Sequence, residues 1–100
     1  MLVRRNVNKF EYMPKFIIER EIPGAGKSDE QQLKEIATYM NAVCKSMDIQ
    51  WIHSYVTGDK VYCVYNAPSA DACREHAEKG GFPCNLVSQI FNIIDPVTAE

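Results

Sequence analysis

Trp51-Ile52-His53-Ser54-Tyr55-Val56-Thr57-Gly58-Asp59-Lys60-Val61-Tyr62-Cys63-Val64-Tyr65 is the stretch that decides the fold. Two runs rich in β-branched and aromatic residues flank Gly58-Asp59, a pair that readily takes positive φ, and this pattern predicts a β-hairpin. A two-residue turn there pairs Thr57 with Lys60, Tyr55 with Tyr62 and His53 with Val64. Successive side chains of a strand point to opposite faces. Ile52, Ser54, Val56, Val61, Cys63 and Tyr65 therefore share one face, and Trp51, His53, Tyr55, Tyr62, Val64 and Asn66 the other. The first set is compact and suits packing beneath helices. The second carries aromatic rings with polar tips and is expected on an open face.

Upstream, Lys15 to Ile22 reads as a strand broken by Pro23-Gly24-Ala25-Gly26. Phe16 and Ile18 fall to the core, with Ile17, Glu19 and Glu21 opposite. A helix is predicted from Ser28, with Ser28 and Gln31 at capping-box spacing and Asp29 and Glu30 at the positive end of the helix dipole. Leu33, Ile36, Ala37, Met40, Val43, Cys44 and Met47 recur at three- and four-residue steps, giving one apolar stripe that ends near Met47. Downstream of the hairpin, Ser69 caps a second helix over 70–79. The pairs Arg74/Glu78 and Glu75/Lys79 suit its exposed side. Gly80-Gly81 and Pro83 stop it, and a last strand runs from about Ser88 to Ile94. Strand, helix, strand, strand, helix, strand is the ferredoxin-like βαββαβ order, an α+β fold with an antiparallel sheet and two helices on one face. Residues 1–13 form an N-terminal extension and 14–100 the domain; Met13 offers an alternative start.

The chain has 100 residues and a formal net charge of −2, which fits one domain. No basic stripe is present to neutralise phosphates, so nucleic acid is not an expected partner. The basic cluster Arg4, Arg5 and Lys9 reads as a solvated tail. No apolar run approaches the roughly 20 residues that span a bilayer, so no membrane role is expected, and the opening residues lack the apolar core of a signal peptide. A cytoplasmic location is the expectation, and Cys44, Cys63, Cys73 and Cys84 then read as free thiols without a CxxC pair. The first three are expected at core positions, whereas Cys84 lies on a loop and is the candidate reactive thiol. Gly24-Ala25-Gly26-Lys27-Ser28 ends like a phosphate loop but lacks its spacing.

The open face is too aromatic to be simply solvated and calls for a partner or ligand. A second copy in a two-fold homodimer satisfies it. A cavity for a small-molecule ligand, lined by Trp51, Tyr55 and Tyr62, could then form between subunits. His53, between Trp51 and Tyr55, is a candidate ligand for nickel, zinc or copper, a proton acceptor, or an interface residue bonded to a tyrosine or Glu19. His76 is either a packing residue near a helix end, stabilised there when protonated, or a ligand. Glu75 is its neighbour, but the two diverge by about 100° and cannot easily chelate one ion. Glu19 and Glu21, about 6–7 Å apart on one strand face, are expected to bridge a cation, to serve as acid and base, or to form ion pairs with Arg20, Lys15 or a partner.

Several short motifs carry a family resemblance. They are Pro14-Lys15-Phe16-Ile17-Ile18-Glu19-Arg20-Glu21-Ile22-Pro23-Gly24; Trp51-Ile52-His53-Ser54-Tyr55-Val56; Asp59-Lys60; Tyr62-Cys63-Val64-Tyr65-Asn66-Ala67-Pro68; Arg74-Glu75-His76-Ala77; and Gly80-Gly81-Phe82-Pro83. In this order they resemble a small ferredoxin-like family that includes nickel-binding, nickel-responsive proteins. The resemblance spans Pro14 to Glu100. It implies a dimeric α+β barrel and binding of nickel or another divalent transition metal, with no organic cofactor and no established reaction. Glu75-His76 matches the family helix motif. The expected function is dimeric metal binding or nickel sequestration, with His53, His76, Glu75 and Glu19 as candidate donors. The alternative is a small dimeric α+β-barrel enzyme acting on an organic substrate over the sheet, with His53 or Glu19 moving a proton.

Overall fold

The computed structural model describes residues 8–100; Arg4 and Arg5, and most of the extension expected over 1–13, lie outside them. The elements are β1 (Lys15–Glu21), α1 (Glu30–Lys45), β2 (Gln50–Val56), β3 (Lys60–Asn66), α2 (Ala70–Gly80) and β4 (Leu86–Ile90). Short 3-10 turns occupy Lys9–Tyr12, Ala25–Lys27 and Pro96–Ala99. The sheet order is β2-β3-β1-β4 and every neighbouring pair is antiparallel, the ferredoxin-like arrangement expected from the element order. Phe16 and Ile18 of β1, Cys63 and Tyr65 of β3, Met40 and Cys44 of α1 and Cys73 of α2 form one core cluster, so both helices cover the same face of the sheet.

The hairpin register agrees with expectation near its turn, with Tyr55 opposite Tyr62 and His53 opposite Val64. The turn chemistry differs. Gly24 and Gly81 are the glycines at positive φ among the described residues, and Gly58 is not one of them. The tip is held instead by docking: Asp59 accepts from Ile22 N (3.0 Å) and Gly24 N (2.9 Å), and the Gly58 carbonyl accepts from Gly26 N (3.0 Å). Gly26 permits this approach, because a Cβ there would lie 2.9 Å from the Thr57 oxygen.

A bulge changes the other end of β2. Trp51 lies opposite Tyr65 while His53 lies opposite Val64, so Ile52 is an extra residue in the ladder. Trp51 therefore belongs to the helix-covered face and not to the open face, and Ile52 is displaced outward. A bulge interrupts strict alternation, and the gain is burial of a large ring whose Nε1–H donates to Ser54 Oγ at 2.9 Å.

Element ends shift in three places. The N-cap of α1 is Asp29, whose carboxylate accepts from Gln32 N (2.8 Å) while Gln32 Oε1 accepts from Asp29 N (2.9 Å). Ser28 instead closes the preceding 3-10 turn through its backbone. The α1 helix ends at Lys45. β4 stops at Ile90, which faces Lys15, the first residue of β1. Pro14 precedes Lys15 and has no N–H to offer, so the ladder cannot continue to Ile94. On α2, Ser69 caps as expected and Gly81 closes the helix at φ 72°. Arg74 pairs with Asp71 at 2.7 Å instead of Glu78.

Candidate functional site

Among the described residues, no helix covers the face of the sheet away from α1 and α2. One cross-strand row aligns Tyr55, Tyr62, Glu19 and Leu86, and the next aligns His53, Val64, Ile17 and Ser88. His53 is exposed and meets Tyr55 edge-on, with ring centroids 5.0 Å apart. Tyr55 and Leu86 are 58% and 55% exposed, a large apolar commitment to solvent for so small a chain. Glu19 is half-buried and bonds Lys60 Nζ at 2.5 Å. The ion pair expected of Glu19 thus goes to Lys60, and Arg20 points through the sheet to the other side.

His53 and Glu19 sit two strands and one two-residue step apart. At ordinary sheet spacings their backbones are about 12 Å apart, too far for easy convergence on one ion within a chain. Among the described residues, no group of three or more His, Cys, Asp or Glu side chains is placed to hold a metal. The described residues of one chain therefore bring together no such set of donors.

The second histidine is in a different environment. His76 is fully buried in the core, with Nε2 3.3 Å from Cys44 Sγ. Its ring stacks on Phe82 (5.5 Å, 21°) and tilts against Tyr65 (5.0 Å). Burial, and then the nearby Arg20 cation, push its pKa down to about 4. The Met40 backbone opposes this weakly without a hydrogen bond of good geometry, and Nδ1 has no partner among the described residues. The protonated, dipole-stabilised ring expected at this helix end is replaced by a neutral core ring. Glu75, one residue earlier, is exposed on the outer side of α2 near Asp48 and Lys79. The thiols follow expectation: Cys44, Cys63 and Cys73 are buried, Cys84 is half-buried and all are free. Burial, and then Cys84, raise Cys73 to about 11.

On the helix side lies a cavity of about 300 Å³, between α1 and the β2–β3 hairpin. Trp51 lines it, so this ring serves a cavity beneath the helix and not one over the open sheet. Its floor holds Arg20, only 1% exposed. Sequence reasoning set Arg20 aside as an ion-pair partner. The available signal was parity, since Phe16, Ile18 and Arg20 alternate on one strand and must share a face.

A family model described as nickel responsive protein SCO4226-like matches residues 16–90. Among solved structures, SCO4226 from Streptomyces coelicolor A3(2) superposes with a TM-score of 0.69 at 18% identity, covering 80% of this chain and 99% of that one. At that identity the likeness concerns the fold alone. A search of curated proteins finds no match. With the family match spanning both helices and all of the sheet but Lys15, the chain belongs to the SCO4226-like family of nickel-responsive proteins.

Proposed function

We propose that this protein is a homodimer that binds a divalent transition metal, nickel by the family's description, on the open face of its sheet. The observation that carries this reading is the placement of His53. It is exposed on an uncovered face, beside Tyr55 and with Glu19 on the same face, while the chain's other histidine is buried against Cys44. Imidazole nitrogen and carboxylate oxygen are donors that nickel accepts. A two-fold axis across the sheet would bring a second His53 and a second Glu19 to the same region and supply the donors that one chain lacks. His76 is left out of the proposed donor set because its Nε2 is engaged and its ring is sealed in the core. Glu75 lies in the helical layer, on the far side of the sheet from His53, and does not join the same ion. Tyr55 and Tyr62 would pack around the metal-bearing interface. The enzymatic alternative gains no comparable support, since the cavity that Trp51 lines lies under α1, across the sheet from His53.

Calorimetric titration with Ni²⁺ tests the proposal. His53→Ala is expected to weaken binding tenfold or more, and Glu19→Ala to weaken it less. Unaltered Ni²⁺ affinity in His53→Ala overturns the assignment.

A further inference from the structure

A buried cation, Arg20, meets no carboxylate among the described residues, although removing a guanidinium from water costs several kcal/mol unless it is compensated. Its contacts are neutral acceptors: NH1 donates to the Pro83 carbonyl at 2.5 Å, NH2 to Tyr65 OH at 3.3 Å and Nε to Cys63 Sγ at 3.4 Å. The Phe82 ring lies 5.1 Å from its centre. A guanidinium carries five N–H groups in a fixed fork. These bonds use one hydrogen on each nitrogen, leaving a further N–H on each of NH1 and NH2.

The apolar surroundings are equally incomplete. The stripe of α1 is buried at Met40, Val43 and Cys44 but not toward its N-terminus, where Leu33 and Ile36 are 40% and 47% exposed. With Ala37 they stand over Val56, Val61 and Trp51 around the cavity. Its volume of about 300 Å³ is at the lower end for small-molecule sites, which combine mostly apolar walls with a few placed polar groups.

We propose that this cavity binds a small monocarboxylate with an apolar body. The carboxylate would accept from the free N–H groups of Arg20, and the body would lie between Leu33 and Ile36 on one side and Val56 and Val61 on the other. Arginine matches a carboxylate in geometry as well as charge, so an uncharged analogue of the same shape should bind less well. This site lies on the opposite side of the sheet from the proposed metal face and does not depend on it.

Trp51 is the chain's one tryptophan and lines the cavity, so its fluorescence reports occupancy. Titration of the full chain with octanoate is expected to give a saturable change in Trp51 emission, at least tenfold tighter than with octanol. Arg20→Met should abolish the preference for the acid. Ala37→Phe, which fills the cavity from half-exposed α1 and leaves Arg20 in the sequence, should weaken octanoate tenfold or more, and it carries the test if Arg20→Met does not fold. Equal affinity for octanoate and octanol, no saturable response, or full octanoate affinity in Ala37→Phe each overturns the proposal.

Discussion

His76 shows how one side chain's chemistry is set by what surrounds it. An imidazole on the last turns of a helix gains from the dipole when charged. Here the loss of water dominates, and the ring stays neutral with a pKa near 4 against an ordinary 6.5. The unfolded chain binds this proton more readily than the folded one. The stability due to the neutral ring is therefore complete above pH 6.5, is lost as pH falls toward 4, and changes no further below that. The shift corresponds to a loss on the order of 3 kcal/mol. Urea unfolding at pH 7.5, 6 and 4.5 should show it. His76→Phe keeps a ring in place and removes the titration, so its stability should fall less steeply over that interval. An equal slope in the two proteins overturns this account. His53 is exposed and shares none of this environment, which is why two histidines in one short chain suit different tasks.

The elements differ from simple pattern matching at their ends and irregularities. The capping box expected of Ser28 with Gln31 forms one residue later, from Asp29 with Gln32. The 3-10 turn over Ala25–Lys27 uses Ser28 to close itself and leaves Asp29 to cap the helix. Asp29→Ala should cost about 1 kcal/mol, as N-cap removals do. Ser28→Ala should fall within about 0.5 kcal/mol, because only its backbone N–H, bonded to the Ala25 carbonyl, takes part in the turn among the described residues. Chemical denaturation of the two variants distinguishes the boxes, and a reversed order would return the cap to Ser28. In β2 the bulge at Ile52 turns the residues before it, Gln50 and Trp51, to the opposite side from strict alternation and displaces Ile52 outward. Alternation placed His53 and Tyr55 correctly because both lie between the bulge and the turn.

The assembled chain leaves much apolar surface unpaired. Beside Tyr55 and Leu86 on the open face, the segment after β4 carries Phe91 and Ile94 at 79% and 82% exposure. Apolar patches of this kind mark association surfaces, in keeping with the proposed homodimer. Sedimentation velocity should give a mass near twice 11.4 kDa. Tyr55→Glu, which adds charge at an exposed position and leaves the core untouched, should shift it toward one chain. A wild-type mass of one chain at micromolar concentration overturns the dimer. No helix among the described residues is long and apolar enough to cross a membrane.

The order of elements, the antiparallel pairing, the capping by Ser69 and the core positions of Phe16, Ile18, Cys63 and Tyr65 were legible from periodicity and turn residues. These depend on interactions among neighbours in the chain and on a repeat that every strand and helix obeys. The face occupied by Trp51, the choice of Lys60 over Arg20 as partner for Glu19, the neutral state of His76 and the cavity above Arg20 depend on residues distant in the chain. Each follows from competition for limited buried space between two helices and one sheet. Local patterns do not encode that competition, because its outcome depends on which groups lose water together when the layers close.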